Sequence, residues 1–157
     1  MSTQPSRASR RIHRILVGFD GSAAANEAVR LALDLAAMLD AELTLIGVLN
    51  NTKLFESAED EALSEQDAKA SFTEKTAPFV ERANQLSIIM STIPTSSEEN
   101  PADLIARHAQ AHGFDLIVVG NHGEDQIFHG GLGKVLEKLL RHSQIPVLVV
   151  PAHSSHI

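Results

Sequence analysis

The sequence predicts an open α/β sheet with helices on both faces, and three observations carry that prediction. Short apolar runs bounded by turn residues alternate with stretches of helical periodicity, in the order β-α-β-α-β-α-β-α-β, which selects parallel strands joined by helical crossovers. The runs are nearly continuous in apolar residues, the mark of strands buried on both faces. The chain of 157 residues has the common size of one domain and can bury a core unaided.

"RILVGFD" (14 to 20) reads as the first strand. Asp20-Gly21-Ser22 breaks it, and Ser22 is a natural N-cap for a helix in which Ala28, Leu31, Ala32, Leu35, Ala36 and Leu39 recur at helical spacing. "AELTLIGVL" (41 to 49) is the second strand, with Leu43, Leu45 and Gly47 on one face and Thr44, Ile46 and Val48 on the other. Residues 56 to 67 carry Glu56, Glu59, Asp60, Glu61, Glu65 and Asp67, a solvated helix or a mobile lid rather than a metal site. Phe72, Phe79, Val80 and Ala83 then restore a helical stripe, and Pro78 within it predicts a kink or a fresh start near residue 76.

"SIIMSTI" (87 to 93) is the third strand. In the helix that follows, Asn100 caps, Pro101 suits the first helical position and Gly113 suits the stop. "DLIVVG" (115 to 120) is the fourth strand, Gly131 to Arg141 the fourth helix and "PVLVV" (146 to 150) the fifth strand. Leu132, Val135, Leu136, Leu139 and Leu140 define the buried face of that helix, and Lys134 projects away from it.

Composition excludes several classes of function. With no Cys there is no disulfide, thiol chemistry or Cys-based zinc site. No uncharged apolar run reaches the length of a membrane span. Residues 1 to 11 form a basic arm with Arg7, Arg10 and Arg11, expected to be flexible, residues 12 to 151 the folded domain and residues 152 to 157 a tail. Setting aside the four arginines up to Arg14 takes the formal charge from −7 to −11 for the rest, which argues against general affinity for nucleic acid. The expected location is the cytoplasm.

Glycine is concentrated between the fourth strand and fourth helix, at Gly120, Gly123, Gly130, Gly131 and Gly133. Such a bend lets main chain approach an anion, and the helix start that follows offers N–H donors and partial positive charge. Two phosphate motifs fail there: Leu136 stands at the third glycine of a dinucleotide fingerprint, and Phe128 and Val135 break a Walker A loop.

What fits is Gly120-x-x-Gly123, nine residues, then Gly133, together with "ILVGFDGS", "DLIVVGNHG" and "LLRHSQIPVLVVP". In these segments the chain resembles the universal stress protein family over residues 12 to 151. The resemblance implies a Rossmann-like five-stranded sheet in order 3-2-1-4-5 and a homodimer paired through strand 5. It also implies binding of ATP or another adenine nucleotide, AMP or ADP, with Mg accompanying a triphosphate. Asp20 would sit by ribose or metal, Val48 would offer backbone groups to the adenine edge, Gly120, Gly123 and Gly133 would surround ribose and phosphates, and Val119 would line the pocket. The candidate binding set is completed by Gly18, His122, Lys134 and Val135.

The sequence departs from the family after Gly133, where Lys134, Val135 and Leu136 replace a segment that usually carries two hydroxyls. Losing one hydrogen bond to a charged group removes roughly 1.5–3 kcal/mol, and Lys134 either compensates or is a solvated helix lysine. His108 and His112 lie four apart on a helix but lack a third ligand, and no nucleophile has a partnered base. The expected function is an adenine-nucleotide-binding regulatory protein with slow or no turnover and an unidentified protein partner. The alternatives are an interaction protein of the same fold with an empty site and a slow ATP hydrolase.

Overall fold

A computed structural model of the chain describes residues 11–49, 58–121 and 134–152, with the side chains of residues 58–64 excepted. Nine elements follow in order: β1 (Arg14–Gly18), α1 (Ala23–Leu39), β2 (Glu42–Val48), α2 (Ala58–Gln85), β3 (Met90–Thr95), α3 (Pro101–Ala111), β4 (Leu116–Gly120), α4 (Lys134–His142) and β5 (Val147–Val150). The strands form one sheet in the order β3-β2-β1-β4-β5, and every neighbouring pair is parallel.

Alternation along the strands divides the core in two. Ile15, Val17, Phe19, Leu43, Leu45 and Val118 meet α1 and α2 on one face, while Leu16, Ile46, Ile117 and Val119 meet α3 and α4 on the other. On the central strands Ile15, Leu16, Val17, Ile117 and Val118 are fully buried, as expected for strands covered on both sides. No helix among the described residues is long and apolar enough to cross a membrane.

Local chemistry sets the ends of the elements. Ser22 Oγ accepts from Ala25 N–H at 3.1 Å to start α1, and Asn100 Oδ1 accepts from Ala102 N–H at 2.9 Å to start α3, with Pro101 next. Helix α1 ends where Asp40 turns left-handed, φ 56°, and Gly113 makes the stop after α3 at φ 70°.

Several sequence expectations are corrected. The face of α1 toward the sheet includes Val29 and Leu33, whereas Leu39 is 43% exposed. Strand β3 starts at Met90, three residues after the predicted start, because Ser87 adopts φ 59°. Pro94 falls inside β3, and an edge strand tolerates the missing donor.

Helix α2 runs through Pro78 without a fresh start. Phe72, Thr76 and Ala83 are buried on one side of it, and the Thr76 hydroxyl donates to Phe72 C=O at 2.8 Å. Packing on both sides of the proline outweighs the one lost donor, and Glu74, whose carbonyl loses it, lies on an exposed turn. The acidic stretch from Glu59 to Asp67 is helical, as one of its two readings expected; Glu56 lies outside the described residues. On α4, Leu136 and Leu139 are buried, but Val135 and Leu140 are 40% and 43% exposed, so its apolar stripe is narrower than the sequence pattern indicated.

Candidate functional site

Strand order reverses between β1 and β4: the chain leaves β1 toward β2 and β3, then returns to β4 on the other side. Open α/β sheets bind ligands beyond the carboxyl ends of the strands at such a point. Here those ends are Gly18, Val48 and Gly120.

Strand β2 outruns β1. Gly18 pairs with Ile46, the last register position between the two strands, and Phe19 N–H donates to Ile46 C=O at 2.9 Å. On the opposite edge of β2, Leu49 N–H donates to Thr95 C=O at 2.6 Å. Because alternate residues of a parallel strand turn their N–H and C=O to alternate sides, Val48 directs both groups toward the space where β1 has ended. A donor and an acceptor so arranged match the hydrogen-bonding edge of a purine.

The β1–α1 turn forms the next wall. Asp20 Oδ1 accepts from Ser22 N–H at 2.9 Å, an Asx turn that holds the carboxylate at the crevice. Asp20 is exposed, so the turn-forming role and a ligand role are compatible. Gly21 needs φ 82°, and a Cβ there would meet Lys75 Nζ at 3.0 Å. Lys75 of α2 therefore folds back over this turn.

Strand β4 supplies the third wall. A Cβ on Gly120 would lie 2.6 Å from Ala24 Cβ and 2.7 Å from Ala24 C. The start of α1 thus crosses directly over Gly120, and this glycine is required for closeness to its own helix. A Cβ on Gly18 would meet Ile105 Cδ1 at 3.0 Å and Val119 Cγ1 at 3.3 Å; Val119 is itself buried in the core against α3 and α4. Asn121 N–H donates to Val150 C=O at 2.8 Å, while Asn121 Oδ1 is closed to solvent and accepts no hydrogen bond among the described residues. Leaving such an acceptor unpaired costs about 1–3 kcal/mol.

The structure therefore brings together Gly18, Asp20, Val48, Val119 and Gly120 at one end of the sheet. Lys134 and Val135 begin α4 and are exposed, and Leu136 packs into the core beside Val119 and Ile105. His122, Gly123 and Gly133, with Phe128, Gly130 and Gly131, lie outside the described residues. Among the described residues no three His, Asp or Glu side chains gather as metal ligands. Sequence reasoning missed Lys75 and Asn121: Lys75 reaches the turn only through tertiary packing, and the one signal for Asn121 was its place directly after Gly120.

The histidine pair lies at the opposite pole. His108 and His112 stack with centroids 4.3 Å apart, His108 is 5.8 Å from Phe114, and Arg14 lies 4.3 Å above the Phe114 ring. Asp115 Oδ2 ties this end together by accepting from the N–H groups of His13 and Arg14 at 2.9 and 3.0 Å. Burial holds the His108 pKa below its ordinary value, and the neighbouring His112, Arg107 and Arg14 push it the same way.

Comparison with known proteins decides the family. The profile described as "Universal stress protein family" matches residues 11–151. This chain belongs to the universal stress protein family. A Staphylococcus haemolyticus protein assigned to the same family is 30% identical over 139 residues, covering 87% of this chain and 82% of its own. Among solved structures, UspA from Lactobacillus plantarum superposes with a TM-score of 0.74 at 22% identity, covering 89% of this chain and 98% of its own. A universal stress protein family member from Arabidopsis thaliana, solved with AMP bound, superposes with a TM-score of 0.66 at 19% identity, over 90% of this chain and 93% of its own. A universal stress protein from Archaeoglobus fulgidus in complex with dAMP gives 0.63 at 15% identity, over 88% and 97%. The family fold and the strand order expected from the sequence are thereby established.

Proposed function

We propose that this universal stress protein binds an adenine nucleotide in the crevice between the carboxyl ends of β1 and β4 and acts as a regulatory module with slow or no turnover. The observation that carries this reading is the overrun of β2 past β1, which leaves Val48 N–H and C=O facing the crevice. The AMP and dAMP held by family members of the same fold support it.

In this reading Val48 recognises the adenine edge and Asp20 approaches the ribose or a Mg ion carried with ATP, with the backbone of Gly18 between them. Gly120, Gly123, Gly133 and His122 surround ribose and phosphates, Val119 backs the pocket, and the first amides of α4, Lys134 and Val135, face the phosphate end. Nucleotide shifts the population of the glycine bend and thereby a partner surface, an effect that needs different affinities in the two states. The protein works in the cytoplasm as a homodimer joined through the outer edge of β5, and signals to an unidentified protein partner.

One observation favours a second reading, an interaction protein with an empty site. Lys134 and Val135 point outward and Leu136 is buried, so no hydroxyl from this turn reaches a phosphate. Titration calorimetry with AMP, ADP and ATP separates the two. Saturable binding supports the nucleotide reading; no binding below about 1 mM, which corresponds to only about 4 kcal/mol, supports the empty site. Single-turnover product formation from ATP above a Gly123→Val control would instead indicate the slow hydrolase.

A further inference from the structure

We infer that Lys75 supplies the cation for the phosphate of the nucleotide and makes the crevice prefer a phosphorylated nucleoside over the free one. This deepens the proposed nucleotide reading and rests on it. Lys75 belongs to an exposed position of α2, where a lysine ordinarily extends its ammonium into water. Instead its side chain lies along the β1–α1 turn, with Nζ 3.0 Å, Cδ 3.1 Å and Cε 3.5 Å from the place a Cβ on Gly21 would occupy. Gly21 is thus doubly constrained, by its φ of 82° and by this side chain.

Among the described residues no carboxylate lies within ion-pair distance of the ammonium, that of Asp20 in the same turn included. The ion pairs among the described residues are Arg30 with Glu27, Arg107 with Glu99 and Lys138 with Asp103. The turn beneath it holds the Asp20 carboxylate, engaged by Ser22 N–H, and leads into α1, whose first turn carries no acidic residue and whose start is electrostatically positive. A phosphate placed between the ammonium and the start of α1 would meet positive charge from both.

Position links Lys75 to the rest of the crevice. Gly21 directly precedes the N-cap Ser22 of α1, and Ala24 in the first turn of that helix is in direct contact with Gly120. The cation therefore stands at the wall formed by the β1–α1 turn, and the helix that this turn starts packs on the end of β4. It offers charge from the α2 side, while Leu136 turns into the core and Lys134 turns outward on α4.

The test is titration calorimetry of the full chain with AMP and with adenosine, using wild type, Lys75→Gln and Lys75→Arg, with thermal unfolding of each. The expected result is AMP bound more tightly than adenosine by wild type, about a tenfold or greater loss of AMP affinity in Lys75→Gln, unchanged adenosine affinity, and retention of most of it in Lys75→Arg. Equal AMP affinity in wild type and Lys75→Gln overturns the inference while leaving the nucleotide reading intact. Parallel loss of AMP and adenosine also overturns it, because that pattern reports distortion of the pocket. Wild type that binds neither ligand overturns both.

Discussion

Replacing Gly120 with alanine tests how the crevice is built. The added Cβ would lie 2.6 Å from Ala24 Cβ, 2.7 Å from Ala24 C and 3.0 Å from Ala24 O. Carbon pairs are comfortable at about 3.5–4.0 Å, so α1 and β4 must separate locally by roughly 1 Å. The partners are the Cβ and backbone of Ala24 at the start of a helix and cannot swing aside as the tip of a long side chain would. Helix α1 cannot yield alone either, since Ala24, Ala25, Ala28, Val29 and Ala32 are all buried against the sheet. Backbone shifts of this kind cost about 1–3 kcal/mol, which for a domain of this size lowers Tm by about 2–4 °C per kcal/mol. Gly120 is not among the described glycines with positive φ, so relief of chain entropy in the unfolded state acts the other way and sets the lower end of the range. Urea denaturation read by circular dichroism, with the same slope for both proteins, measures the loss. A Gly120→Ala variant as stable as wild type would refute the reasoning that this glycine exists to admit α1.

Asn100→Ala removes the Oδ1 acceptor for Ala102 N–H and should cost about 1 kcal/mol in the same urea assay, with Asn100→Asp retaining most of it. Ser22→Ala should cost a similar ~1 kcal/mol through the α1 cap. Burial lowers the folded pKa of His108 below its ordinary value of about 6.5, so the unfolded chain binds the proton more readily. The stability that follows is complete above about pH 6.5 and is lost as pH falls below that value toward the folded pKa. Urea midpoints from pH 8 to 5 should show this decline, and His108→Gln should remove its share of the slope.

The element order was legible because each strand is a short apolar run and each helix repeats at its own period, so the alternation itself selected the fold. Ends were legible where one side chain decides them, as at Ser22, Asn100 and Gly113. Pro78 misled because local propensity was outweighed by Phe72, Thr76 and Ala83 packing on both sides of it. Val135 and Leu140 misled because a leucine-rich helix of nine residues shows a broader apolar stripe than the sheet can cover. At the site, Gly120 was recognised as a close-approach position, but the approaching atoms belong to α1, which only tertiary structure reveals. Lys75 stands 54 positions from Gly21 in a helix whose pattern gives no hint of where its cation goes.

The most direct measurement is a titration of isotope-labelled protein with AMP, followed by amide chemical shifts. The account predicts saturating shifts at Val48, Gly18 and Gly120 that share one dissociation constant below about 1 mM. Saturating shifts confined to the other end of the sheet, around His108, His112 and Gly113, or none at that concentration, would contradict it.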